Sequence, residues 1–149
     1  MAVAGATLHN QYDGYDLIVG DPEKNARRNA YFGDLHVHTT YSNDAFAFGT
    51  LATPYDAYRY AKGQPIKHPG GFDVQLRQPL DFYAVTDHAM FLGGAKAAAD
   101  TTTAFSKLPG LEFLNNLNTP ETMTMESFPL RGGVLVRFVT TTLFGLDDD

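Results

Sequence analysis

The run Tyr31-Phe-Gly-Asp-Leu-His-Val-His-Thr-Thr40 is the strongest indication of the fold of this chain. A second run, Leu80-Asp-Phe-Tyr-Ala-Val-Thr-Asp-His88, has a similar pattern of residues. Each run is strand-like and ends in a short polar cluster. Three of the five histidines of the chain lie in these clusters. Imidazole and carboxylate groups are common ligands of zinc, manganese and iron ions. The sequence therefore predicts two strands that lead to a metal site.

The first cluster lies on one face of its strand. Because side chains alternate along a strand, Leu35 and Val37 face one way, and Asp34, His36 and His38 face the other. Both imidazoles can then reach one ion, and Asp34 either binds it too or holds an imidazole through its second nitrogen. The alternative is a pair of exposed histidines on a half-buried strand.

The second cluster is Asp87-His88, directly after an apolar strand. Neighbouring residues on an extended strand point to opposite faces, so both can bind one ion only where the chain turns. A turn is expected at the end of a strand. The alternative is that Asp87 caps the segment that follows. Two clusters at equivalent strand ends favour the metal site.

A helix start lies between the two strands. Thr53 is predicted as the N-cap, Pro54 as the first helical residue, and Asp56 as the partner of Thr53 in a capping box. The helix is predicted to run from Pro54 to Lys62 and to stop at Gly63. A helix between two strands predicts a βαβ unit with parallel strands, whose active sites lie at the carboxyl ends of the strands.

The remaining segments carry weaker signals. We predict a buried strand over residues 31–38 and a second strand over residues 80–86. The other expectations, in chain order, are a lead-in segment over residues 1–27 with a short strand at 15–19, a loop over 39–51, a loop over 63–79 with a short strand near 72–76, an Ala-rich helix within 89–100, no firm period over 101–130, and a strand or short helix over 133–144.

Other polar residues are secondary candidates. Asp44 can reach a substrate or a metal ligand, but we favour a turn or capping role for it. Tyr41 and Ser42 follow His38 closely and can line the pocket. Glu112 is a possible bridging carboxylate, although no strong strand precedes it. Three residues are expected to be structural or peripheral: His9, His68 and Asp81.

Composition excludes several classes of protein. The 149-residue chain has a net charge of −6, and Arg27-Arg28 is its only basic pair, so an extended nucleic-acid footprint is not expected. The chain has no cysteine, which excludes thiolate metal ligands. No long apolar run predicts a membrane span, and the N-terminal residues do not read as a signal peptide. A cytoplasmic location is the default expectation, and the oligomeric state is left open.

Several motifs together resemble a known superfamily. Gly33-Asp-Leu-His-Val-His-Thr39 and Val85-Thr-Asp-His88 resemble the first two motifs of the PHP (polymerase and histidinol phosphatase) superfamily. The wider stretch resembles a PHP-like bacterial family labelled as a domain of unknown function. The segments that carry this second resemblance are Arg28-Asn-Ala-Tyr-Phe-Gly-Asp-Leu-His-Val-His38, Asp44-Ala-Phe46, Ala57-Tyr-Arg-Tyr-Ala-Lys-Gly63 and Pro79-Leu-Asp-Phe82.

The resemblance implies an α/β fold, a distorted (β/α)7 barrel with two or three divalent metal ions at the carboxyl ends of its strands. It implies hydrolysis of a small phosphorylated or ester substrate by metal-activated water. His36, His38, Asp87 and His88 would be metal ligands (Zn, Mn or Fe), and Asp34 would support them. All five residues are then candidate catalytic residues.

One departure from the superfamily affects these expectations. PHP proteins take further ligands, a Glu, a His and an Asp-x-His pair, from later strands, but no histidine follows His88. We therefore expect residues 28–149 to be the N-terminal part of an incomplete PHP-type barrel. The expected function is that of a metal-dependent phosphoesterase in full-length form. The alternatives are a non-catalytic metal-binding module and a non-functional truncated remnant.

Overall fold

The computed structural model describes residues 30–145. The predicted lead-in segment, the strand at residues 15–19 and His9 lie outside the described residues. The described elements, in chain order, are β1 (Gly33–Val37), α1 (Asn43–Ala47), α2 (Pro54–Ala61), β2 (Ile66–Lys67), β3 (Asp73–Val74), β4 (Phe82–Val85), α3 (Gly94–Ala99), three short 3-10 helices (Phe105–Lys107, Glu112–Leu114 and Phe128–Leu130) and α4 (Arg131–Phe144).

The central feature of the fold is the parallel pair of β1 and β4. Gly33 lies opposite Phe82 and Val37 opposite Val85, so the two carboxyl ends lie side by side. The predicted parallel βαβ arrangement is confirmed, with α2 between the two strands in the chain. The ladder shifts register between Asp34 and Val37. This irregularity interrupts the simple alternation of faces on which the prediction for the first cluster rested.

Helix α2 forms for the local reasons that its sequence indicates. The Thr53 hydroxyl accepts a hydrogen bond from the Asp56 backbone N–H, and the Asp56 carboxylate accepts one from the Thr53 N–H at 3.0 Å. The predicted capping box is therefore confirmed. The helix ends at Ala61, one residue before the predicted Lys62, and Gly63 follows with a left-handed φ of +74°.

Two predictions about the first strand and its loop are wrong. Strand β1 is exposed along most of its length, with Leu35 61% exposed, because in the described residues it pairs only with β4. The predicted loop over residues 39–51 contains α1. The signal for this helix was weak because Ser42, its N-cap, makes no side-chain capping bond.

The hydrophobic core lies beside the sheet, where α1, α3 and α4 meet. Its buried side chains are Phe46, Ala95, Ala98, Ala99, Leu111, Leu114 and Phe138. The Ala-rich helix is confirmed as α3, and the segment over residues 133–144 is helical, within α4. Because Phe46 belongs to both α1 and the core, α1 is anchored on one side and faces the strand ends on the other.

The remaining predictions have mixed outcomes. The expected loop with a short strand near residues 72–76 contains a small antiparallel pair, β2 with β3. Residues 101–130 form turns and short 3-10 helices. Residues 30–145 contain four strands in two small sheets, so the seven-stranded barrel stays a prediction.

Candidate metal centre

The site lies where the parallel strands β1 and β4 end. The Thr86 N–H donates a hydrogen bond to the Val37 carbonyl at 2.7 Å, which holds the ends of the two strands side by side. His38 is the first residue after β1, and His88 follows β4 closely. Because the strands run in the same direction, both imidazoles emerge at one edge of the sheet.

Asp44 lies between the two histidines. Its Oδ2 atom is 2.8 Å from His38 Nδ1 and 3.3 Å from His88 Nε2. Potential ligand atoms of His38, Asp44 and His88 all lie within 4.8 Å of one another. In the described part of the chain, this is the one set of three or more metal-binding side chains at such distances.

The spacing of these atoms matches a coordination shell. Donors that share a tetrahedral zinc ion at about 2.0–2.1 Å lie about 3.3 Å from each other. The 3.3 Å separation of Asp44 from His88 equals this value, and the 2.8 Å separation of Asp44 from His38 is a hydrogen bond that would lengthen when an ion binds. The donor set, two imidazoles and one carboxylate, suits zinc and other divalent first-row ions. The geometry can therefore accept a metal ion with small adjustments of side chains.

Helix α1 carries Asp44 to the site. Asp44 lies in the first turn of α1, and the helix follows β1 after a tight turn in which the Ser42 N–H donates to the Thr39 carbonyl at 2.9 Å. The sequence favours a turn or capping role for Asp44, and its convergence with the histidines is the less favoured alternative. The available signal was the short distance in sequence between His38 and Asp44, which a helical turn can close.

A buried hydroxyl connects the parts of the site. Ser42 is fully buried, and its Oγ atom lies 3.3 Å from His38 Nδ1 and accepts a hydrogen bond from the His88 backbone N–H at 3.1 Å. Ser42 thus contacts both strand ends. Ser42 was expected to lie close to the pocket, and its position agrees with this. It is buried, however, so its contacts orient the two histidines and it does not line an open pocket.

Hydrogen bonds keep the Asp44 carboxylate ionised. Partial burial on its own would raise the pKa of Asp44. Hydrogen bonds from the Ser42 hydroxyl, the Ala45 N–H and the His38 ring outweigh this effect, so the pKa of Asp44 is lowered. An ionised carboxylate between two imidazoles creates a negative site that attracts a cation.

Asp87 has a different set of contacts from the predicted ones. Its carboxylate accepts hydrogen bonds from the Thr39 backbone N–H and from the Thr39 hydroxyl, the latter at 2.7 Å. Thr39 is fully buried. Asp87 therefore joins the end of β4 to the end of β1 and does not belong to the three-residue group. His88, its neighbour, does belong to it, as expected if the chain turns after the strand.

The other residues of the first cluster lie next to the group. The ring of His36 has its centroid 5.0 Å from that of His38, but His36 is exposed and is not one of the three. The Asp34 carboxylate accepts a hydrogen bond from the His36 backbone N–H at 2.8 Å. Asp34 thus contacts the backbone of the strand, and the predicted contact with an imidazole nitrogen is not the one formed.

The secondary candidates lie elsewhere. Asp81 accepts a hydrogen bond from the Phe32 N–H at 2.7 Å, at the entrance of the strand pair, as a structural residue would. His68 stacks on Phe72 in the loop between β2 and β3, with ring centroids 4.3 Å apart. Glu112 lies on a 3-10 helix and is not part of the group. Tyr41 makes a cation–π contact with Lys96, whose ammonium lies over the ring, 5.3 Å from the centroid.

The cleft beside helix α2 is separate from this group. A cleft of about 560 Å³ lies between α2 and the β2–β3 pair, and its lining includes Arg59, Lys67 and His68. None of the three grouped residues lines it. The candidate metal centre is partly open to solvent, since the side chain of His38 is 17% exposed and that of His88 is 56% exposed.

Comparison with known proteins gives a family but no activity. Residues 25–134 match the model of a family described as "Protein of unknown function (DUF3604)", and the chain belongs to this family. The match covers both strand-end clusters, α1 and Asp44. No curated protein and no solved structure matches the chain. None of the helices in residues 30–145 has the length and apolarity that crossing a membrane requires.

Proposed function

We propose that His38, Asp44 and His88 bind a divalent metal ion, and that they form part of the active site of a PHP-type metal-dependent hydrolase. The observation that carries the proposal is the convergence of the three side chains within 4.8 Å at the ends of two parallel strands. The motif resemblance supports the hydrolase class, and the geometry of the donors supports the metal.

Each residue has a distinct part in the proposed site. The His38 and His88 imidazoles approach the ion from β1 and β4, and the Asp44 carboxylate approaches it from α1. Ser42 fixes the His38 ring and the backbone at His88. When bound, the metal would lower the pKa of a coordinated water and so supply a nucleophile at neutral pH.

The remaining residues of the clusters fit supporting parts. Asp87 holds the two strand ends together through Thr39, a contact that outer residues of metal sites commonly make to position the ligands. His36 is next to His38 and exposed, so it is available to a second ion of the two or three that PHP-type sites hold. The proposed substrate is a small phosphoester, because phosphoester hydrolysis is the activity that the resemblance implies.

Hydrolysis assays on the full chain test this function. The protein is loaded in turn with zinc, manganese and iron(II), and release of p-nitrophenol from p-nitrophenyl phosphate and bis(p-nitrophenyl) phosphate is followed. We expect metal-dependent hydrolysis that His88→Ala abolishes. His68→Ala is the matched control, because His68 is an exposed histidine outside the site, and it should retain the activity.

The same assay separates the proposal from its alternative. Tight metal binding that depends on His88, with no hydrolysis of either ester, would favour a non-catalytic metal-binding module. Hydrolysis that His88→Ala and His68→Ala affect equally would contradict the assignment of the active site.

A further inference from the structure

Helix α1, which carries Asp44, is too short to be stable by itself. It has five residues, whereas isolated helices below about 12–15 residues are marginal in water. Its last carbonyl groups also lack partners within the helix. The position of Asp44 therefore depends on contacts that the rest of the molecule makes with α1.

Two buried side chains from distant segments bind the carboxyl end of α1. The Asn118 Nδ2 atom donates to the Phe46 carbonyl at 2.6 Å, and Arg131 Nη1 donates to the Ala47 carbonyl at 2.9 Å. Arg131 Nη1 also donates to Asn118 Oδ1. The two side chains thus form one connected cap on α1, and they are 8% and 3% exposed.

The Arg131 guanidinium is buried at a cost that neutral partners must compensate. Within residues 30–145, its hydrogen-bond acceptors are two backbone carbonyls, those of Ala47 and Thr122, and the side-chain amide oxygen of Asn118. Loss of solvent around the group lowers its pKa. A buried cation is tolerated only where fixed hydrogen bonds replace water, so this guanidinium requires its acceptors in fixed places.

The cap lies one helical turn from Asp44. The Asp44 carbonyl accepts a hydrogen bond from the Phe48 N–H at 3.0 Å, and Phe48 directly follows Ala47. A displacement of the carboxyl end of α1 would therefore move the backbone of Asp44. A carboxylate placed about 1 Å away from its ion loses much of its affinity for it.

We propose that Arg131 and Asn118 are positioning residues that hold Asp44 in place for the metal ion. This inference rests on the proposed function. It predicts that removing the cap weakens metal binding through Asp44, without any change in the ligands. Partners outside the first coordination shell typically contribute about 10–100-fold in metal affinity.

The chain offers a closely matched pair of variants. Asn118 and Asn116 both have left-handed backbone conformations, with φ of +72° and +61°, which glycine adopts without strain. Asn118→Gly removes the hydrogen bond to the Phe46 carbonyl and one of the acceptors of Arg131. Asn116→Gly makes the same chemical change at an exposed position. Thermal unfolding of both variants measures their stability.

A double-mutant cycle with Asp44 is the test. Dissociation constants for zinc and cobalt(II) are measured for the wild type, Asn118→Gly, Asp44→Asn and the double variant. We expect Asn118→Gly to weaken binding about tenfold and to change the visible spectrum of bound cobalt(II). When Asp44→Asn is already present, Asn118→Gly should lower the metal affinity little further, because the carboxylate that Asn118 positions is no longer there. Asn116→Gly should bind as the wild type does.

Asn118→Asp provides a second variant for the case in which Asn118→Gly unfolds. The new carboxylate retains an acceptor for Arg131 but loses the donor to the Phe46 carbonyl, so the protein should fold with weaker metal binding. If Asp44→Asn weakens binding while both Asn118 variants bind normally, the positioning role is wrong and the metal site stands. Additive losses in the cycle would also overturn it. If Asp44→Asn and His88→Ala bind metal normally, the proposed function fails as well.

Discussion

The imidazole rings of His38 and His88 lie edge to face, with their centroids 4.7 Å apart and their planes at 77°. The two residues follow different strands, and the parallel pairing of β1 with β4 brings them together. Two imidazoles in this arrangement can present a nitrogen each to a shared ion, with the Asp44 carboxylate as the third donor. The proposed metal site is thus a consequence of strand order and of the helix that follows β1.

Asp87 and His88 are neighbours with different predicted effects. Asp87→Ala leaves the N–H and the hydroxyl of the buried Thr39 without their acceptor, which costs about 1–3 kcal/mol in the free energy of unfolding. We expect this variant to bind metal at full stoichiometry but more weakly. His88→Ala should lose the ion and retain most of the stability. Thermal unfolding and metal titration of both variants check this. Loss of stoichiometric metal binding in Asp87→Ala would contradict it and would show that Asp87 is a metal ligand.

The capping box of α2 predicts a pH dependence. Hydrogen bonds from the Thr53 backbone and hydroxyl lower the pKa of Asp56 below its ordinary value of 3.8. Its stabilising contribution is therefore present above that value and is lost as the pH falls through the lower pKa of the folded state. Asp56→Ala should cost about 0.5–1.5 kcal/mol at pH 7, because the hydrogen bond that its carboxylate accepts from the Thr53 N–H is lost. The difference from the wild type should shrink as the pH is lowered below 3.8, as followed by urea unfolding. A difference that stays constant with pH would contradict this account.

Gly33 is required by the close approach of the two strands. A Cβ atom at this position would lie 2.1 Å from the Phe82 carbonyl oxygen and 2.5 Å from the Phe82 ring. Gly33→Ala should therefore force the strands apart, at a cost of about 1–3 kcal/mol, and weaken metal binding.

Gly133→Ala in α4 is the control for this substitution. No atom lies within 4 Å of its added Cβ, and alanine favours the helix by up to about 0.5–1 kcal/mol. The two variants should shift the unfolding midpoint in opposite directions. Equal stability of Gly33→Ala and the wild type would show that β1 and β4 can accommodate a Cβ atom at this position, and would contradict the prediction.

Local signals explain which parts of the structure could be predicted. Alternating and apolar runs indicated β1 and β4, and the Thr53–Asp56 capping box indicated α2, because neighbouring residues determine each of these features. The helix between the strands then implied parallel pairing. The meeting of His38 with His88 followed from that pairing.

Features that depend on distant contacts could not be predicted in the same way. Helix α1 has five residues and is stabilised by Asn118 and Arg131, which lie 72 and 84 residues from their carbonyl partners. Without α1, the placement of Asp44 beside the histidines cannot be deduced. Likewise, the contact of Asp87 with Thr39 depends on the direction of one side chain at a strand end. The burial of β1 depends on which segments pack against it. The alternation of apolar and polar residues along the strand does not show whether such segments are present.

Equilibrium dialysis against zinc, with metal analysis, tests most directly whether His38, Asp44 and His88 together bind one divalent ion. Wild-type chain is compared with the His38→Ala, Asp44→Asn, His88→Ala triple variant and with His68→Ala, at equal concentrations of folded protein. We expect at least one tightly bound ion in the wild type and in His68→Ala, and loss of that ion in the triple variant. Equal metal content in the wild type and the triple variant would contradict it.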